Sequence, residues 1–170
     1  MLDEKLEISK ILQGDITIPY KDRIQKVEDY IISITDGVNA FGTGKEIVYP
    51  SFCEYKHSFG DGVYVREMKI NKGILIVGGI HKHKEVFFLL QGRLNIMTRN
   101  GVEEYVAPCY IMTPSGSKKM GYAVEESIAV TVHANPTNTE DLKELEDNMV
   151  AYSWEEYNEF LKKNENEKNK

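Results

Sequence analysis

The sequence predicts a mainly β fold, a small jelly-roll or barrel with helices before and after it. Three observations carry that reading. Residues 62–134 break into eight short apolar segments, 63–70, 74–81, 85–91, 93–99, 102–107, 109–113, 118–123 and 127–133, each of strand length. The breaks are turn formers: Asn71-Lys72-Gly73, Gly92, Asn100-Gly101, Pro108 and Pro114-Ser115-Gly116. Both ends of the chain instead carry apolar residues at helical spacing.

Taken in order, residues 1–36 read as helical. Pro19 suits a first helical turn, and Tyr20, Ile24, Val27, Tyr30, Ile31 and Ile34 make one apolar stripe that Asp36-Gly37 ends. Residues 37–50 are a glycine-punctuated linker with room for one short strand, so 1–57 form an arm and linker. The barrel spans 58–135, and within it Asn100-Gly101 signals a tight hairpin. Residues 136–163 turn helical again. Thr139 can cap a helix bearing Leu142, Leu145 and Met149. Ser153 with Glu156 makes a capping box for a second helix, bearing Tyr157, Phe160 and Leu161. The polar, repetitive stretch 164–170 reads as a disordered tail.

Composition excludes several classes. The 170 residues suffice for one domain with a real core. A net charge of −6 argues against a nucleic-acid polymer as partner. No apolar run approaches the ~20 residues that span a membrane, and Met1-Leu2-Asp3-Glu4-Lys5 lacks the basic start of a secretory leader. Cys53 and Cys109 read as reduced thiols, which points to the cytoplasm. No serine or cysteine sits in a nucleophile elbow, and Phe41-Gly42-Thr43-Gly44 does not match a phosphate loop.

The chemistry concentrates between Gly73 and Gly92, where His81, His83 and Glu85 fall within five residues between two apolar segments. On one continuous strand His81 and Glu85 would lie about 13 Å apart, too far to share a ligand. A hairpin turn at Lys82-His83-Lys84 would let them face each other, with His83 at the rim. The spacing resembles the first motif of the cupin family: a glycine, five residues, His-x-His, three or four residues, a glutamate, six residues, a glycine. Anchored on Glu85 and Gly92, the pattern puts His81 in the second-histidine place, Gly79 in the first and Gly73 at the start. The rival alignment, with His81 and His83 as the pair, spoils the glutamate and glycine spacing. Of the second cupin motif, Pro114-Ser115-Gly116 matches. Pro108 stands for the glycine, Lys119 for the histidine and Ala123 for the asparagine.

The resemblance implies a cupin-like jelly-roll, a small-molecule site and a homodimer or higher homo-oligomer. It also implies one divalent transition metal held by His81 and Glu85, with His133 as a third ligand. Ser127, Ala129, Thr131 and His133 alternate onto one strand face and could line the pocket. Arg66 shares the more apolar face of its strand with Tyr64, Met68 and Ile70, which calls for a buried partner such as Glu85, or an anionic ligand. Lys119, with Lys118 and Lys84, could meet an anion, and Tyr105, Tyr110 or Tyr122 could pack on its body. The predicted ligand-binding set is therefore Arg66, His81, Glu85, Lys119 and Tyr122.

A narrower resemblance runs through His57-Ser58-Phe59, Gly62 to Glu67, Ile80-His81-Lys82, Ala107-Pro108, Gly121 to Glu126 and Thr131-Val132-His133. These stretches are similar to small cupin-like proteins common in bacteriophage genomes, which implies an accessory protein working in a bacterial cytoplasm. Three functions follow as expectations. One is a non-catalytic protein that binds or sequesters a small anionic ligand such as a nucleotide. The second is a metal-dependent enzyme of the dioxygenase or isomerase type. The third is an oligomeric interaction protein using its helical arms.

Overall fold

A computed structural model describes residues 2–35 and 46–168. The predicted turn at Asp36-Gly37 and most of the predicted linker lie outside the described residues. Two helices come first, α1 (Leu2–Leu12) and α2 (Tyr20–Ile34). Ten strands follow: β1 (Ile47–Tyr49), β2 (Glu54–Gly60), β3 (Val63–Ile70), β4 (Leu75–His81), β5 (Glu85–Gln91), β6 (Arg93–Thr98), β7 (Gly101–Val106), β8 (Cys109–Thr113), β9 (Lys118–Ala123) and β10 (Ser127–Ala134). The chain then forms α3 (Leu142–Met149), a two-residue strand β11 (Val150–Ala151) and α4 (Trp154–Lys168).

The fold is mainly β, as the sequence predicts, with two antiparallel sheets and helices before and after them. One sheet runs β1-β4-β9-β6-β7, with β11 also on β4; the other runs β2-β3-β10-β5-β8. Alternating side chains from the two inner faces fill the space between the sheets: Met68, Ile70, Phe87, Leu89, Leu94, Ile96 and Ala129. The outer face of the first sheet is covered by the helical arm, where Ile8, Ile11, Ile24, Val27 and Ile31 meet Leu75, Val77, Met97 and Met120. Most of the stripe expected on α2 is thus spent inside the chain, and Ile34 at its end is exposed.

All eight predicted strands are present within a residue of their expected ends. The hairpin at Asn100-Gly101 forms one residue earlier than expected: Thr98 pairs with Gly101, leaving Arg99 and Asn100 as the turn. The expected barrel start at 58 falls inside β2, because Glu54 to Gly60 pair along β3. Strand β2 is an edge, exposed and polar for most of its length, so it lacks the apolar alternation that marks a strand. Asp141, not Thr139, caps α3, accepting from the Lys143 and Glu144 amides. Ser153 does cap α4 through the Glu156 amide. That helix runs on to Lys168, past the predicted end at 163 and into the predicted disordered tail; Glu, Lys and Asn are compatible with an exposed helix once a first turn is anchored.

Gly92 shows why the break between β5 and β6 needs glycine. It has φ +84°, and a Cβ there would stand 2.3 Å from the Glu126 carbonyl oxygen.

Candidate functional site

Strand β4 ends at His81 and β5 begins at Glu85, but the two strands belong to different sheets. Residues 82–84 therefore turn a corner between sheets rather than close a hairpin. The outcome for the side chains is the expected one. His81 Nε2 lies 3.4 Å from Glu85 Oε1, and His83 is left exposed, edge-on to Phe160. From β10, His133 Nε2 approaches Glu85 Oε2 to 3.3 Å. From β9, the Lys119 ammonium donates to Glu85 Oε1 at 2.9 Å and sits 4.9 Å from the centre of the Phe87 ring.

These four side chains line one end of a partly open cavity of about 90 Å³ between the sheets. Arg66, Tyr64 and Thr131 complete the polar end, Met68, Ile76 and Ile96 line the apolar end, and Glu146 and Met149 of α3 close it over. Of the predicted set, Arg66, His81, Glu85, Lys119 and His133 are thus brought together, and Tyr122 is not. Strand alternation explains the miss: Lys119 and Gly121 face inward, so Tyr122 points outward with Met120, 42% exposed, into a separate surface hollow. Tyr110 is more exposed still, on β8.

Arg66 has an acid partner, but it is Glu46 rather than Glu85. Glu46 also accepts a 2.9 Å hydrogen bond from the Tyr55 hydroxyl. Nothing in the sequence around Glu46 marks it as a site residue; it enters through a tertiary contact alone. Tyr64 was also missed, although its place on the Arg66 face was legible. Its hydroxyl lies 2.7 Å from His57 Nδ1, which makes His57 a half-buried support for that ring. The rings of Tyr55, His57, Tyr64, His133 and His81 stack in sequence, neighbouring centres 5.9–6.4 Å apart. The stack runs from the edge strand to Glu85 and fixes the orientation of both histidines.

Burial sets the charges. It pushes His81 and His133 down to about 4, against the pull of Glu85, so both imidazoles are neutral at pH 7. Burial would raise Glu85, but His81, Lys119 and His133 outweigh it and hold the carboxyl at about 2. At neutral pH the cation facing that carboxylate is Lys119. Its own value is lowered by burial and supported by Glu85.

A divalent metal does not fit these side chains as they stand. Ligand atoms would have to lie about 2.0–2.2 Å from the ion. The Lys119 ammonium instead holds the carboxylate oxygen that also faces His81. Among the described residues, no group of three His, Cys, Asp or Glu side chains is arranged to hold a metal. The first-histidine place of the resembled motif is also closed. A Cβ on Gly79 would meet Val150 Cβ at 3.1 Å and the Ala151 carbonyl oxygen at 3.3 Å, because β11 packs there.

Three buried polar atoms at the cavity have no hydrogen-bond partner: Glu85 Oε2, His133 Nε2 and Thr131 Oγ1. The first two are close, but not along a hydrogen-bond direction. Cys53 is buried with its thiol pushed up to about 11 by burial and Glu46, and Cys109 is half-buried; both are free. Among the described residues, no helix is long and apolar enough to cross a membrane.

No family model and no curated protein matches the chain. Solved structures similar to it include a cupin-2 domain protein from Shewanella frigidimarina, at 17% identity and TM-score 0.42, over 48% of this chain and 80% of that one. KdgF from a Halomonas species aligns at 12% identity and TM-score 0.44, over 52% of this chain and 81% of that one. An acetylacetone dioxygenase from Acinetobacter johnsonii aligns at 14% identity and TM-score 0.42, over 58% and 78%.

Proposed function

We propose that this chain is a cupin-like binding protein that holds one small, uncharged, hydroxyl- or amide-bearing molecule between its sheets. The observation that carries the reading is the trio of atoms without a hydrogen-bond partner, Glu85 Oε2, His133 Nε2 and Thr131 Oγ1, at the polar end of the cavity. Each buried polar atom left without a partner costs about 1–3 kcal/mol. A ligand that donates to the carboxylate oxygen and bonds the imidazole and hydroxyl recovers that cost, while its apolar body lies against Met68, Ile76 and Ile96.

The geometry moves the ligand away from the anion expected from sequence. Arg66 is matched by Glu46 and Lys119 by Glu85, so an entering anion would have to displace an internal carboxylate. Size argues the same way. A cavity of about 90 Å³ is far below the roughly 300–1,000 Å³ of pockets that hold drug-sized ligands, so a nucleotide is too large for it. The resemblance to phage-encoded proteins is in keeping with an accessory role and implies no settled chemistry.

The test is a thermal-shift and calorimetry panel of small alcohols and amides, run with and without transition metals. Metal-independent binding that is lost in Thr131→Val and His133→Ala is the expected result. Product formation that requires a metal would replace this reading with the enzymatic one.

A further inference from the structure

A second hollow, sharing Ile96 and Lys119 with the wall of the first cavity, lies on the surface where the start of α2 meets the β6–β7 turn and the β8–β9 loop. It is an open groove of about 770 Å³, within the range of small-molecule sites. We propose that this groove binds a phosphate monoester carrying a planar ring.

Charge is the first argument. The chain carries a net −6, yet the groove is lined by Lys21, Arg23, Arg99 and Lys119 against one acid, Asp22. Lys119 is answered by Glu85 at the cavity end, which leaves the groove with an excess of positive charge. A local field opposite in sign to the whole molecule concentrates anions where low-dielectric walls focus it.

Arg23 is the second argument, and it is independent of the rim. Its side chain is 1% exposed. Nη2 donates to the carbonyl oxygens of Thr98 and Arg99, at 3.2 and 3.0 Å. Nε and Nη1 have no hydrogen-bond partner. No carboxylate among the described residues forms an ion pair with Arg23, and two backbone carbonyls do not cancel a full charge. Asp15 is near enough to feel the guanidinium, but its carboxylate is spent on the Thr17 amide. A buried cation without a counter-ion is costly, and an anion in the groove supplies one.

The third argument is the helix itself. The 15-residue α2 begins at Tyr20 behind Pro19, with no side-chain cap on its first amides. Those amides and the helix dipole open into the groove beside Lys21. The planar part of the ligand follows from the walls. Trp154, Tyr20 and Tyr105 line the groove, and the Lys21 ammonium already sits 3.7 Å from the centre of the Trp154 ring.

Trp154 is the chain's single tryptophan, so its fluorescence reports on the groove directly. The probes are inorganic phosphate, phenyl phosphate and phenol, followed by fluorescence and calorimetry at low salt. Both phosphates should bind saturably, phenyl phosphate the tighter by at least several-fold, and phenol should not. Phenyl phosphate affinity should fall as pH drops below about 6, where a phosphate monoester loses its second charge. Arg99→Ala and Lys21→Ala, both at exposed positions, should each weaken phenyl phosphate several-fold without lowering the melting temperature; calorimetry reads the Lys21 variant, which disturbs Trp154. Phenol binding as tightly as phenyl phosphate would overturn the proposal. So would affinities unchanged by both substitutions, or no saturable signal at millimolar phosphate.

Discussion

Lys119 stands where the resembled cupin pattern has a histidine, and the exchange alters what the buried carboxylate can do. A neutral imidazole would leave Glu85 ionised and open to a metal; an ammonium at 2.9 Å satisfies it with a fixed charge. Lys119→Ala leaves the carboxylate buried without its cation. Breaking such a pair is expected to cost about 3 kcal/mol, read by denaturant unfolding. The same variant exposes His81, Glu85 and His133 to an added divalent metal, so zinc should raise its melting temperature more than that of the wild type. Equal responses would mean that Lys119 is not what keeps a metal away. Thr131 makes a complementary case. Its buried hydroxyl has no partner, so Thr131→Val removes an unsatisfied group at nearly constant volume. The ligand-free variant should be as stable as the wild type or more stable, by up to about 1 kcal/mol. It should bind the cavity ligand at least tenfold more weakly by calorimetry.

The elements around the site divide by how they were encoded. Strands β3 to β10 were legible because each is a short apolar or alternating run bounded by turn formers, β4 and β5 being continuous apolar runs. His81, Glu85 and Lys119 could be brought together from motif spacing, and His133 and Thr131 from alternation along β10. The α3–β11 strap that closes the cavity was legible only as a helix. Nothing local says that Val150-Ala151 pairs with Ile80 and His81, nor that Glu46 reaches Arg66. Those are long-range contacts, and a sequence records them only in small permissive residues such as Gly79. Substituting that glycine tests the strap. Gly79→Val drives a side chain into Val150 and Ala151, with an overpacking cost of about 1–3 kcal/mol. Limited proteolysis should then cut between α3 and α4 at a protease concentration that leaves the wild type intact. Lys82 ties the strap from the other side, its amide donating to Met149 O and its ammonium to Asp147 O, both at 2.7 Å. Lys82→Met should speed ligand exchange more than it changes affinity, because the interactions lost hold the cover rather than the ligand.

For the whole molecule, a buried charge cluster between two sheets makes stability depend on pH in a definite direction. His81 and His133 fall from the ordinary 6.5 to about 4 on folding. Between those values the unfolded chain binds protons that the folded chain refuses, so stability is full above about pH 6.5 and is lost as pH falls towards 4. Glu85 is lowered from 4.5 to about 2, so its contribution is present above pH 4.5 and drains away below it. Both effects have the same sign. The fold should therefore be most stable at neutral pH and weaken continuously on acidification, by a few kcal/mol between pH 7 and 4. Urea unfolding at half-unit pH steps measures the slope. Mutation tests the upper window: replacing His81 and His133 together with glutamine removes the component between pH 6.5 and 4, and it also shrinks that of Glu85 below 4.5, which then rests on Lys119. If the double variant keeps the wild-type slope between pH 6.5 and 4, the histidines are not buried neutral beside Glu85. The arrangement proposed for the ligand, with an ionised carboxylate oxygen accepting and a neutral imidazole free to bond, would then be wrong. If the slope disappears, ligand affinity should hold across that window and fall only near pH 4, where the folded His133 takes up a proton and loses its accepting nitrogen.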